Sequence, residues 1–293
     1  MKDWDDIRVF LSVARKGSVT GAGTQLGVNH STVSRRLSAL EKRLGVRLFE
    51  RLPTGYALTP GGEDILKKAE KMEDAAIEMD RKVLGRDARL SGTVRLTTPV
   101  SVATRILFPE LANLATSYPD IEVQLVGSNN VLSLTRREAD IAVRVTNKPD
   151  ENLFGRKLIQ IAYAVYGPRS QSSFPADTLC IAWDDEIAWD FGAAPTASVK
   201  ALCPDARVGF RTNTDETRVA AIAAGLGIAE LPCYVGDADS RLMRLSEPIV
   251  YPGWELWLLT HKDLRATARI RAVLDFVGET FAKKRGLLEG RGA

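Results

Sequence analysis

Residues 29 to 44 read Asn-His-Ser-Thr-Val-Ser-Arg-Arg-Leu-Ser-Ala-Leu-Glu-Lys-Arg-Leu, with Val33, Leu37, Leu40 and Leu44 spaced four, three and four apart. That spacing is one apolar stripe of an α-helix. The opposite face carries His30, Ser31, Ser34, Arg35, Ser38 and Lys42, all able to hydrogen-bond outward. Upstream, Ile7, Phe10, Leu11 and Ala14 predict a helix from about Trp4 to Arg15, stopped by Gly17. Ser18 or Thr20 is positioned to cap a short second helix whose Val19, Ala22 and Leu26 face inward. Gly27 makes the next turn, and Asn29 stands as N-cap of the third helix. Two short helices, a Gly-containing turn and a basic amphipathic helix form the helix-turn-helix pattern.

After Gly45, the stretch from Val46 to Thr59 alternates and turns at Pro53 to Gly55, which predicts a two-stranded wing. Between Gly62 and Leu84 there is no further Pro or Gly, and Ile65, Ala69, Met72, Ala76, Met79 and Val83 repeat at four, three, four, three and four. This is a heptad seam on an otherwise polar helix. Pairing of two copies along it gives a dimer; packing of the helix on its own domain would also produce the stripe.

Beyond Gly92 the texture becomes short β-runs alternating with helices. Strands are expected at 93–96, 121–126, 140–145, 162–166, 178–182, 207–211, 228–231 and 255–260. Helices are expected at 102–117, 131–137, 215–224 and 266–283. The alternation argues for parallel sheets flanked by helices. Gly225-Leu-Gly227 follows a helix and precedes a strand, the reverse of a dinucleotide fingerprint, and reads as a helix C-cap. Trp183, Trp189, Trp254 and Trp257 are expected in cores or along a cleft.

Charge separates the two halves. Residues 1–59 hold ten Lys or Arg against five Asp or Glu, whereas residues 60–90 and 91–293 each carry −1. A basic excess confined to one small module is the footprint of nucleic-acid binding joined to a neutral body. The composition, 45% hydrophobic and 26% charged, is that of a soluble globular protein. No apolar run suggests a membrane span, and the N-terminus lacks the apolar core of a secretory signal, so a cytoplasmic location is expected. Cys180, Cys203 and Cys233 are scattered without metal-ligand spacing and read as buried free thiols. Only two histidines occur, His30 and His261, with no partner pattern for a metal or a triad, and no phosphate-binding loop or nucleophile elbow is present. An enzyme is therefore disfavoured, and no cofactor or metal is expected.

In the N-terminal module, Asn29, His30, Ser31, Ser34 and Arg35 are candidates for base edges or phosphates, with Arg35 the best bidentate partner for a guanine. His30 reads equally well as a first-turn surface residue. Arg36, Arg47, Arg51 and Thr54 are assigned to the duplex backbone. The segments Gly17-Ser18-Val19-Thr20, Gln25-Leu26-Gly27-Val28, Ser31-Thr32-Val33-Ser34-Arg35, Leu40-Glu41, Leu44-Gly45-Val46-Arg47-Leu48-Phe49-Glu50-Arg51 and Leu58-Thr59-Pro60-Gly61-Gly62 carry a resemblance to the LysR-type transcriptional regulators. Two departures stand out: Gly21-Ala22-Gly23 replaces the usual paired alanines, and His30 stands where Gln is frequent.

The resemblance implies an α/β protein in four parts. They are a winged helix-turn-helix (1–59), a dimerising linker helix (60–88), and a two-lobed, periplasmic-binding-protein-like effector domain. Its lobes span 92–161 with 262–283, and 162–261. It also implies homodimers that pair into tetramers on double-stranded operator DNA, contact with RNA polymerase, and a small effector that is often a carboxylated metabolite. Ligands of such sheets bind beyond the strand ends, between the lobes. Thr97, Thr98, Ser101, Ser128, Asn129, Arg144, Thr212, Asn213 and Thr214 are the candidates there. Thr98 and Thr214 are equally helix caps, and Arg144 alternatively pairs with Asp140 or Glu138. A regulator that acts without an effector, or a small-molecule-binding protein of another class, is the remaining alternative.

Overall fold

The computed structural model describes residues 4–84, 88–129, 133–134, 138–184 and 194–291, without the side chains of 81–84. It divides into two compact units, Met1–Asp80 and Arg81–Ala293.

The first unit opens with α1 (Trp4–Lys16), α2 (Val19–Leu26) and α3 (His30–Leu44). Their boundaries follow from the capping chemistry read above. The Ser18 hydroxyl accepts from the Gly21 amide, Asn29 Oδ1 accepts from the Ser31 amide at 3.0 Å, and Gly27 and Gly45 close α2 and α3 in left-handed geometry. Ile7, Phe10, Leu11, Ala22, Val33, Leu37 and Leu40 form one core with Leu48 and Phe49. Leu44 leaves the predicted stripe and is 36% exposed, so the inward face of α3 ends at Leu40. The wing is β1 (Phe49–Leu52) paired antiparallel with β2 (Gly55–Leu58). Gly55 has φ +137°, and a Cβ there would stand 2.3 Å from the Gly17 carbonyl oxygen. The next amide, of Tyr56, donates to that same oxygen at 2.8 Å, which pins the wing to the α1–α2 corner.

The long helix α4 (Pro60–Leu84) changes the reading of the heptad seam. Ala69 is 1% exposed, and Ile65 packs against the α1–α3 core. Glu73 pairs with Arg15 of α1 at 2.5 Å. The first two seam positions are thus spent inside the unit, because the wing delivers α4 directly onto the core. Met72 and Met79 remain exposed, Ala76 is half-buried, and the Val83 side chain lies outside the described residues.

The second unit begins with β3 (Gly92–Thr98). Then α5 (Val100–Val102) runs through a π turn at Ala103–Leu107 into α6 (Phe108–Ser117). After β4 (Ile121–Gly127) come β5 (Ile141–Thr146), β6 (Leu153–Ile159), β7 (Ala162–Pro168), β8 (Leu179–Trp183), α7 (Ala197–Leu202), β9 (Arg207–Thr212) and α8 (Asp215–Ala223). The chain ends with β10 (Ala229–Pro232), α9 (Cys233–Gly236), β11 (Leu242–Arg244), β12 (Ile249–Val250), β13 (Glu255–His261), α10 (Ala268–Lys283) and α11 (Arg285–Leu288). The predicted helix at 131–137 falls mostly on residues outside the description, as does Trp189.

The first sheet has the order β4-β3-β5-β13-β6. β3 runs parallel to β4 and β5, whereas β13 runs antiparallel to β5 and β6. In the second lobe β7 pairs antiparallel with β10, β11 and β12, and β8 pairs parallel with β9. The expectation of parallel sheets therefore holds for only part of each lobe. A boundary also moves: β13 pairs along its length with β5, so residues 255–261 belong to the first lobe and the return crossing precedes Glu255. One apolar core continues through both lobes, from Leu96, Ile141 and Leu258 to Tyr166, Leu231 and Tyr234. The three cysteines are free and buried. Among the described residues, no helix is long and apolar enough to cross a membrane.

Candidate nucleic-acid interface and ligand cleft

Burial on α3 alternates as a surface-reading helix requires. Val33, Leu37 and Leu40 are buried, while His30, Ser31, Ser34, Arg35, Ser38 and Lys42 are exposed. Asn29 and Ser31 are tied to each other through the cap, since the Ser31 hydroxyl also meets Asn29 Oδ1 at 3.1 Å. Arg36, assigned to the duplex backbone, is partly exposed and pairs with Asp5 of α1 at 3.3 Å. Arg43 likewise pairs with Asp6 at 2.5 Å. Arg35, Arg47 and Arg51 are exposed and make no ion pair among the described residues, so their charge is available to phosphate or base. Thr54 is exposed in the wing turn.

One organising residue has no signal in hydrophobic periodicity. Glu41 Oε1 accepts from the backbone amides of Leu48 and Phe49 at 2.8 and 3.2 Å. A carboxylate on two amides fixes where the wing begins, and through it the placement of Arg47 and Arg51.

The predicted cleft residues separate into distinct networks. Thr97 and Thr98 are the last residues of β3 and are fully buried. Arg144 lies within β5 and donates to Thr97 Oγ1 at 2.7 Å and to the Ser128 carbonyl at 2.6 Å. Burial pushes its guanidinium down to about 10, which leaves it charged at neutral pH. The carboxylates of Asp140 and Glu138 accept instead from the backbone amides of Arg95 and Ser133. Thr98 caps no helix; Pro99 holds that position, and the Thr98 hydroxyl is buried without a partner among the described residues. The Thr212 hydroxyl is also buried and unpartnered among them. Thr214 is a plain cap, accepting from the Thr217 amide at 3.1 Å.

Hydrogen bonds from Ser101, Thr104 and Asn129 join the lobes. Ser101 Oγ donates to Asp215 Oδ2 at 2.9 Å and lies 2.9 Å from the Tyr234 hydroxyl, with all three residues buried. Asn129 Nδ2 donates to the Asn213 carbonyl at 2.6 Å. Thr104 Oγ1 reaches Glu216 at 3.4 Å. Ser101, Asn129 and Asn213 are thus lobe-to-lobe fasteners in this structure. Asp215 and Tyr234 carry no site signal in the sequence; an acidic residue in the first turn of α8 looks like ordinary dipole compensation. Burial raises the carboxyl of Asp215, and burial also lowers the guanidinium of Arg218 one turn along α8.

Two family models account for most of the chain. Residues 4–63 match the "Bacterial regulatory helix-turn-helix protein, lysR family" and residues 87–282 match the "LysR substrate binding domain". The chain is 30% identical to the Mau operon transcriptional activator of Paracoccus denitrificans, over 96% of this chain and 97% of that one. It is 26% identical to the probable HTH-type transcriptional regulator LtrA of Klebsiella pneumoniae, over 94% of each. In fold it is similar to the full-length virulence activator AphB of Vibrio cholerae, with TM-score 0.59, 22% identity, and 94% and 98% of the two chains covered. It is also similar to CrgA of Neisseria meningitidis, with TM-score 0.56, 22% identity, and 96% and 99% covered. The exposed basic face of α3, its wing and the two-lobed body are those of a DNA-binding transcriptional regulator with a ligand-binding domain, and the chain belongs to the LysR family.

Proposed function

We propose that this regulator binds operator DNA as a homodimer, in the cytoplasm, and that a small effector held in its C-terminal unit controls how it engages RNA polymerase. The observation that carries the DNA-reading half is the outward face of α3, where Arg35 projects without an ion-pair partner among the described residues. Two such helices related by a two-fold axis match half-sites about 10 bp apart. Arg35 supplies the bidentate fork for a base, while Arg47 and Arg51 neutralise phosphate.

The test is a gel-shift titration on the operator at fixed salt. Arg35→Ala is expected to weaken binding by about 1–3 kcal/mol and to relax sequence preference. Arg36→Ala, whose partner is Asp5, is expected to cost less. Equal losses for the two variants would contradict the assignment of Arg35.

Effector control is supported by the hydroxyls of Thr98 and Thr212, which stand at strand ends, buried and without a partner among the described residues. An effector must bind one lobe geometry better than the other to shift the population. The reading fails where small molecules that stabilise the protein leave footprint and transcription unchanged.

A further inference from the structure

Two buried guanidinium groups of the C-terminal unit have different fates. Arg144 is spent on protein acceptors. The Arg218 side chain, 5% exposed, finds nothing comparable. Among the described residues its acceptors are the Ile181 carbonyl at 3.5 Å and Asp215 Oδ1 at 3.7 Å, and its Nε has no partner. Its charge lies 4.8 Å over the ring of Trp183. A guanidinium offers five donors in a planar fork, and holding it away from water without one short hydrogen bond is costly. The tryptophan face recovers only part of that cost.

Arg218 borders a narrow recess with free room of about 20 Å³, enough for a water, lined also by Trp183, Pro195, Thr196 and Glu230, so that a larger occupant requires its walls to part. Glu230 is 5% exposed. Its two oxygens accept from Thr196 Oγ1 at 3.0 Å and from the Tyr251 hydroxyl, and each keeps a second lone pair. No hydrogen bond or ion pair joins Glu230 to Arg218. A buried cation and a buried anion thus share one small space without neutralising each other directly.

We infer that this recess is a ligand site for an α-amino-acid zwitterion, whose carboxylate takes the Arg218 fork and whose ammonium donates to Glu230. A simple carboxylate would meet the charge of Glu230, and a simple amine would meet that of Arg218; only a ligand with both groups satisfies the two walls. The inference rests on the reading that this unit binds an effector, and it gives that effector a chemical class. It also gives the signal a route. A ligand that draws Arg218 onto its own carboxylate weakens the long contact to Asp215, whose other oxygen holds Ser101 of the opposite lobe.

The test uses the purified full-length protein, with tryptophan fluorescence and thermal shift against each of the twenty L-amino acids, and against propionate and ethylamine at matched ionic strength. At least one amino acid is expected to give a saturable response, while propionate and ethylamine give none. Arg218→Met is expected to weaken that binding by about tenfold or more, as is Arg218→Lys, which keeps the charge but loses the planar fork. Should Arg218→Met fail to fold, Arg218→Lys and Glu230→Gln decide. Glu230→Gln should weaken the amino acid and admit propionate. No response to any amino acid, propionate binding as tightly as the amino acid in the unaltered protein, or unchanged affinity in the folded variants would overturn the site. If none of these probes binds, yet a small-molecule extract still changes the operator footprint, effector control stands and only this recess is excluded.

Discussion

The backbone of α2 approaches the start of α3 so closely at Gly23 that a Cβ there would stand 2.8 Å from the Val28 carbonyl oxygen and 3.3 Å from the His30 amide. The glycine is therefore a packing requirement. By propensity alone, replacing a helical glycine with alanine stabilises by about 1 kcal/mol. Gly21, two residues earlier, meets no backbone atom: a Cβ there would stand 3.3 Å from Lys16 Cβ and 3.7 Å from Ser18 Cβ, a mild approach that a shift of a few tenths of an ångström relieves. The two positions should therefore respond with opposite sign. Gly21→Ala is expected to raise the melting temperature of the N-terminal unit, and Gly23→Ala to lower it by about 1–3 kcal/mol of stability. Differential scanning calorimetry of both variants checks this; stabilisation by Gly23→Ala would remove the close-approach argument. The pair also shows a limit of sequence reading at this scale. Gly21-Ala22-Gly23 was legible as a departure from the usual alanines, but backbone proximity leaves no mark on composition. Caps fared better, because Ser18 and Asn29 act within two or three residues of themselves. The ion pair of Arg36 left no such local signal, since its partner Asp5 is distant in sequence.

At the scale of elements, periodicity located nearly every long helix and central strand, and missed those that break it. β6 escaped because it is an exposed edge strand with Gly155, Arg156 and Lys157 at its centre. The heptad of α4 was real as a pattern, yet a stripe does not say what covers it. Ile65 and Ala69 face the core of their own unit, whereas Met72 and Met79 are 39% and 65% exposed. A dimer through α4 must therefore be carried by the outer positions. Met72→Glu with Met79→Glu is expected to dissociate it, since each methionine contributes about 1.5–3 kcal/mol when fully buried. Ala69→Glu is expected instead to unfold the helix-turn-helix core, because it places a carboxylate at a 1% exposed site. Sedimentation velocity reads the first effect, and hydrogen exchange in α1–α3 reads the second. An unchanged sedimentation coefficient for the double variant would place the dimer contact elsewhere.

At the scale of the C-terminal unit, the lobes meet through a buried hydrogen-bonded trio that no local pattern announces, because Ser101, Asp215 and Tyr234 converge from three separate elements. Its electrostatics predict a measurable pH dependence. Burial is the main cause that raises the Asp215 carboxyl above its ordinary 3.8, and the charge of Glu216 adds to it; Arg218, the Ser101 bond and Arg105 oppose. A carboxyl whose folded pKa lies above its unfolded one binds its proton more tightly when folded. Its contribution to stability is therefore complete at low pH and declines as pH rises from 3.8 through the raised folded value. Glu110 and Asp239 act in the opposite sense, because Lys284 and Arg241 hold their carboxyls below the ordinary range. The raw pH profile of the protein mixes both signs, so the informative quantity is a difference. Asp215→Asn keeps an oxygen to accept from Ser101 and cannot ionise. The attraction between Asp215 and Arg218 acts only on the ionised carboxylate, and it is already among the causes that set the folded titration of Asp215. The stability of the unaltered protein relative to Asp215→Asn should then fall as pH rises above 3.8 and level off once Asp215 is ionised. Urea melts of the two proteins across that range measure it, and a difference that rises with pH would mean that the Asp215 carboxylate is favoured by its surroundings and that the junction is held by an ion pair rather than by the trio.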